Sequence, residues 1–135
     1  MKKIQLPYKQ FKGGYYPVID IWMKGPTGIY EVEAFVDSGA STSIFRSTVA
    51  DELGINYIRG RVTYSMVGDG SYIPIYLHKV PIKIGNIWLR AAIGFSSHLG
   101  VDINLLGQKD IFDRFIVSFD KRRRIVSFQP YSRPS

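Results

Sequence analysis

Apolar and polar residues alternate along most of this chain, in short stretches divided by glycine, proline and charged residues. A period of two marks half-buried β-strands, whose successive side chains point to opposite faces. Tyr15–Met23 and Ile29–Val36 fit that pattern, and Lys24-Gly25-Pro26-Thr27-Gly28 between them has the composition of a turn. The second strand alternates at its start and becomes wholly apolar at Ala34-Phe35-Val36, which predicts an end buried on both faces. Arg61–Val67 and Ser71–Lys79 form a hairpin about Gly68-Asp69-Gly70, with Pro74 marking an edge or an exposed arm. Val80–Ile84 and Ile87–Phe95 form another about Gly85-Asn86. After a loop at Ser96–Asp102, Ile103–Gly107 reads as a short buried strand ending in glycine. Phe115–Phe119 and Ile125–Phe128 are the arms of a last hairpin.

Only two stretches read as helix. Ser47–Gly54 has Ser47 or Thr48 to cap it, Asp51 and Glu52 early, and Gly54 to stop it. Gln108–Arg114 carries Ile111 and Phe112, with Phe115 following, on its inner side. Many short strands with two brief helices predict a mostly-β barrel or sandwich. At 135 residues, 45% of them hydrophobic, the chain is one domain with enough apolar surface for a core. Residues 8–129 are the expected ordered core and 130–135 a frayed tail.

Composition narrows the chemistry. There is no cysteine, so disulfides and thiolate metal sites are excluded. His78 and His98 lack the spacing of paired ligands, and neither metal nor cofactor is expected. Met1–Pro7 is basic but no apolar segment follows it, and no stretch approaches a membrane span. The expectation is a soluble, cytoplasmic protein away from membranes. The net charge is +7, much of it from Lys121-Arg122-Arg123-Arg124. Such a run suits nucleic acid, but the strands on either side make a solvated hairpin turn the simpler reading.

"AFVDSGASTSIF", residues 34–45, carries the strongest chemical signal. A carboxylate at the end of a buried strand is costly unless it is satisfied. Gly39 allows a tight turn in which its N–H points back at Asp37, and Ser38 offers a hydroxyl. Taken alone, Asp37-Ser38-Gly39-Ala40 could be an aspartate capping its own turn.

Its context resembles the retropepsin-like aspartic proteases, the single-lobed relatives of pepsin. The likeness rests on "FVDSGASTSIF" at 35–45 and "INLLGQKDIFDRFIVSFD" at 103–120, with a glycine-containing hairpin between them. The second stretch is most similar to the prokaryotic branch. This resemblance implies a closed acid-protease-like β-barrel with two short helices and a flap, Arg61–Lys79, whose tip lies near Val67–Ser71. It implies Asp37 as the catalytic acid, Ser38 and Gly39 as support of the catalytic loop, and Leu105-Leu106-Gly107 packed beside it. Ala40, Val67, Gly68, Asp69 and Gly70 are then the substrate-binding residues, with Gly68 and Gly70 as flap hinges.

Hydrolysis by carboxylates needs two of them sharing a proton, one to activate water and one to protonate the substrate; aspartic proteases are the standard example. The chain holds one Asp-Ser/Thr-Gly motif. The resemblance therefore implies a homodimer that cleaves an extended peptide or protein with two copies of Asp37. Where the family often carries Arg after Leu-Gly, this chain has Gln108-Lys109, so a brace to the active-site region is weaker or made differently. Two other readings are a non-hydrolytic dimeric barrel that binds peptide or protein, and, less favoured, a basic nucleic-acid-binding barrel.

Overall fold

The structure is a computed structural model, and it describes residues 2–100 and 102–131. Among them the chain forms twelve strands: β1 (Ile4–Pro7), β2 (Lys9–Phe11), β3 (Gly14–Tyr16), β4 (Val18–Gly25), β5 (Gly28–Val36), β6 (Ser43–Arg46), β7 (Arg61–Met66), β8 (Tyr72–Ile84), β9 (Ile87–Ser96), β10 (Asn104–Leu106), β11 (Phe115–Asp120) and β12 (Ile125–Pro130). Helix α1 is Ser47–Leu53, and Tyr57–Arg59 is a 3-10 turn.

Six strands close a barrel. Their order is β4-β5-β10-β6-β9-β8, and β8 returns to β4 through Trp22↔Lys83 and Met23↔Ile82. β7 pairs only with β8, outside the ring. The alternation along β4 puts Ile19, Ile21 and Met23 inside and Asp20, Trp22 and Lys24 outside. They meet Ala34, Phe45, Leu53, Ile82, Ile84, Ile93, Phe95 and Leu106, all buried, in one core. β1, β12 and β11 form a separate three-stranded sheet whose Ile4, Phe115, Val126 and Phe128 join that core.

The structure departs from the sequence reading in several places. The Tyr15–Met23 stretch is two strands, because Pro17 interrupts it and its carbonyl instead accepts Val36 N–H at 2.8 Å. Ser71–Lys79 and Val80–Ile84 are one thirteen-residue strand, β8. Pro74 lies in its outer arm, where β8 pairs with β7 and not yet with β9. β1, β2 and β6 were not anticipated: each has only three or four residues, too few for a period to register. β1 lies before residue 8 and β12 reaches Pro130; residues 132–135 of the expected tail lie outside the described residues.

Neither Ser47 nor Thr48 caps α1. Arg46 occupies the cap position without a side-chain bond, and the first turn holds no acidic residue. Gly54 does stop the helix, in the left-handed conformation at φ 76°. The second helical stretch is Gln108–Phe112, a single wide turn broken at Lys109 and Asp110. Phe35 is half-buried and not enclosed: the Tyr16 ring, 6.1 Å away between centroids, covers it.

Candidate active site

Asp37 follows the last residue of β5 and keeps that strand's register, donating its N–H to Leu106 O at 3.0 Å. β10 lies between β5 and β6, parallel to the first and antiparallel to the second. The chain from Asp37 to Thr42 must therefore bridge the end of β10. Asn104 at the start of β10 clasps both neighbours: its Nδ2 donates to Glu33 O, and its Oδ1 accepts Arg46 N–H, each at 2.9 Å.

The loop is tied by residues just after β10. Gln108 N–H donates to Ala40 O at 2.8 Å and Lys109 N–H to Ser41 O at 3.0 Å. Gly107 N–H donates to the buried Ser43 Oγ at 2.9 Å, and Gln108 Nε2 donates to Ser38 O at 2.6 Å. The brace expected from an arginine is thus made by the Gln108 amide. Gly107 has no substitute here: a Cβ on it would lie 2.6 Å from Ala40 O and 2.8 Å from Thr42 O.

Within the loop, Gly39 N–H donates to Asp37 Oδ1 at 2.8 Å, and Ala40 N–H donates to Asp37 O at 3.2 Å. A Cβ on Gly39 would crowd Asp37 Oδ1 at 3.2 Å. One carboxylate oxygen is thus fixed by the loop, while Oδ2 has no hydrogen bond among the described residues. Ser38 is exposed and its hydroxyl is unengaged among them.

Asp37 opens onto a cleft of about 960 Å³. Gly39, Ala40, Ser41 and Thr42 line it with Asp37, and Thr63–Asp69 of the β7–β8 hairpin form the opposite wall. Ile44, Ile75, Leu99 and Leu105 give it an apolar part between the polar walls. Of the residues singled out from the sequence, Asp37, Gly39, Ala40, Val67, Gly68 and Asp69 come together here; Ser38 and Gly70 are not part of the lining. Gly70 has positive φ (85°) and Gly68 does not, so only Gly70 needs glycine for backbone geometry. Leu99 and Thr42 were missed, since nothing in a loop's composition says which side chain turns inward.

Asp69 is the other carboxylate in the cleft wall. Its Oδ1 accepts Ser71 Oγ–H at 2.5 Å and Ser71 N–H at 2.9 Å. Those two bonds hold its carboxyl below the usual carboxylate range. It is an acceptor capping its own turn. His78 is structural, with Nε2 2.8 Å from Tyr57 O. Among the described residues no group of three His, Cys, Asp or Glu could hold a metal ion, and no helix is long and apolar enough to cross a membrane.

Behind the loop, the wide turn is anchored by Asp110, which is 6% exposed and has φ 66°. Its Oδ2 accepts Ala92 N–H at 2.7 Å and Lys79 Nζ at 3.3 Å, and Arg114 lies 3.5 Å from Oδ1. Burial acts to raise its pKa, but the Ala92 N–H and the two cations outweigh that and hold the carboxyl below its ordinary value.

A closed barrel with an aspartate loop strapped over an inserted strand, facing a hairpin across a cleft, is the retropepsin-like acid-protease fold. The structure is similar to a retropepsin-like aspartic protease from Rickettsia conorii, with TM-score 0.68 and 18% identity over 94% of this chain and 89% of that one. It is also similar to the EIAV protease, solved with the inhibitor HBY-793, with TM-score 0.56 and 16% identity over 78% of this chain and 93% of that one. A search of curated protein sequences finds no match. The sequence model of the gag-polyprotein aspartyl proteases matches residues 27–111, and the chain belongs to that family. Family and fold together support a protease function.

Proposed function

We propose that this protein is an aspartic endopeptidase whose active site is completed by a second copy of the chain. The observation that carries the reading is the state of the cleft. It contains Asp37, oriented through Oδ1 by the N–H of its own loop, while its remaining carboxylate, Asp69, lies in the opposite wall at the hairpin tip and accepts two bonds from Ser71.

Peptide hydrolysis of this type needs a base to take a proton from water and an acid to give one to the carbonyl oxygen and then the leaving amine. Two adjacent carboxylates do both, because they cannot both ionise at close range. The Ser71 bonds lower the pKa of Asp69, and its place at the hairpin tip sets it apart from the Asp37 loop, so it is not the acid in this reading. The partner carboxylate is Asp37 of a second chain, across a two-fold axis. Ser38, exposed beside Asp37, supplies a hydroxyl to the partner's loop. The Gly39 N–H orients the carboxylate, and the Gln108–Ser38 and Gln108–Ala40 bonds keep the loop from relaxing.

The β7–β8 hairpin acts as the flap. An extended peptide lies between it and the aspartates, with backbone contacts from the hairpin and side chains against Ile44, Ile75, Leu99 and Leu105. The test is Asp37→Asn, which keeps size and shape but cannot act as base. Cleavage of a mixed peptide library should fall at least on the order of 1,000-fold, with circular dichroism unchanged. Retained cleavage by a clean preparation refutes the assignment. A folded wild-type protein that dimerises and binds peptide but cleaves none would favour the non-hydrolytic reading.

A further inference from the structure

Two cations of this chain occupy backbone positions that favour glycine. Lys12 (φ 47°) and Arg124 (φ 57°) are, with Asp110, the non-glycine residues of positive φ among those described. Lys12-Gly13 is the two-residue tip of the β2–β3 hairpin, where Asn, Asp or Gly is preferred at the first position. Arg124 closes the turn from Lys121 between β11 and β12. Strained positions of this kind cluster at functional sites; Arg124 lines a surface cleft, while Lys12 Nζ lies over the Phe11 ring.

The two turns meet. Tyr8, between β1 and β2, donates its N–H to Arg124 O at 2.8 Å, and the Arg124 guanidinium lies 3.7 Å from the centre of the Tyr15 ring. Around them is a cleft of about 490 Å³, lined by Tyr8, Gly13, Tyr15, Lys121, Arg122 and Arg124 among others. It shares no lining residue with the Asp37 cleft.

Lys121, Arg122, Arg123 and Arg124 are exposed, and none is in an ion pair among the described residues, although Asp120 is near enough to Tyr8 to raise the phenol's pKa, second to burial. Lys9 shows the contrast, held by Asp20 and Glu33 at 2.5 and 2.6 Å. The neighbouring carboxylate, Asp120, accepts the Arg123 backbone N–H at 2.9 Å. Arg124 is exposed with its guanidinium over the Tyr15 ring, and a guanidinium can make a bidentate contact with phosphate. Tyr15 remains 47% exposed, enough to meet a base. Cations along a groove with aromatic faces between them are what sequence-tolerant single-strand binding uses. An acidic peptide would engage the cations and leave the rings idle.

We propose that this cleft binds single-stranded nucleic acid, with phosphates on Lys121, Arg122 and Arg124 and a base against Tyr15. The site is independent of the proteolytic reading. The experiment is fluorescence anisotropy of a labelled oligothymidylate of about ten nucleotides, titrated with the intact protein at several salt concentrations. Three phosphate contacts should give a slope of log K against log salt of about −2. Arg122→Glu/Arg124→Glu, checked by its melting temperature, should weaken binding by on the order of tenfold or more. Tyr15→Ala should weaken it with the cations intact, and a polyglutamate peptide of equal charge should compete poorly. Should the double variant not fold, Arg122→Glu alone, on the exposed turn, serves instead. The proposal is overturned by absence of binding at about 50 mM salt, by wild-type affinity in the folded charge variants, or by polyglutamate displacing the oligomer at equal concentration.

Discussion

Asp110 carries more of the local structure than its position in a surface-bound turn suggests. It joins β9 through Ala92, the long strand β8 through Lys79, and its own turn through Arg114. That turn in turn holds Ala40 and Ser41. Its folded pKa is lowered, so its contribution to stability is complete above the unfolded value, about 3.9, and is lost as pH falls through the lower folded value. The melting temperature of the wild type should therefore drop below about pH 4. Asp110→Asn should cost about 1–3 kcal/mol at neutral pH and give a flatter acid limb between about pH 4 and 2. Thermal melts across that range check both; an equally steep acid limb in the variant would assign the acid sensitivity to other groups.

The β7–β8 hairpin is the element that gives the cleft its second wall. Its register, from Arg61↔Leu77 to Met66↔Tyr72, carries it past the end of β9's pairing, so the tip has no sheet neighbour beyond its own two arms. Its inner face holds Ile73 and Ile75, which pack with Ile44 beside the candidate catalytic loop. Its tip is closed by Val67 N–H to Ser71 O at 2.8 Å and by the Asp69–Ser71 bonds. Deleting Gly68–Gly70 removes the tip without touching the barrel. If the hairpin closes over substrate, kcat/KM should fall by on the order of 100-fold while the melting temperature stays near that of the wild type. Unchanged kcat/KM in the deletion would show that the hairpin is not a lid.

At the scale of the whole molecule, one chain places one aspartate, Asp37, in the loop wall of the cleft, with Asp69 bonded to Ser71 in the opposite wall. On the proposed mechanism, activity belongs to the dimer. The rate per chain should fall on dilution, approaching direct proportionality to concentration below the dimer dissociation constant, so that the total rate there follows the square of concentration. Sedimentation and cleavage measured over the same concentrations test this, and a fully active monomer would refute the shared site. With two carboxylates sharing a proton, the rate against pH should be bell-shaped on the acid side of neutrality.

The sequence by itself determined the strands with a clear period, such as β4, β5 and β9, because burial on one face is a local pattern. It also determined the Asp37 turn, since Gly39 follows at the spacing that returns an N–H to the carboxylate. β10 was legible as a short apolar run, whereas four-residue β6 carries almost no local signal; what places both in the barrel is pairing with residues far away in sequence, Leu105 with Phe35 and Ile44, and Phe45 with Phe95. The same holds for the role of Gln108. Its amide is 70 residues from the Ser38 carbonyl it holds, and only the insertion of β10 between β5 and β6 brings the two within 2.6 Å. The basic turn shows the same division. Its charge was legible, but its place against Tyr8 and Tyr15 depends on β1 pairing with β12, a contact between the two ends of the chain that no local pattern encodes.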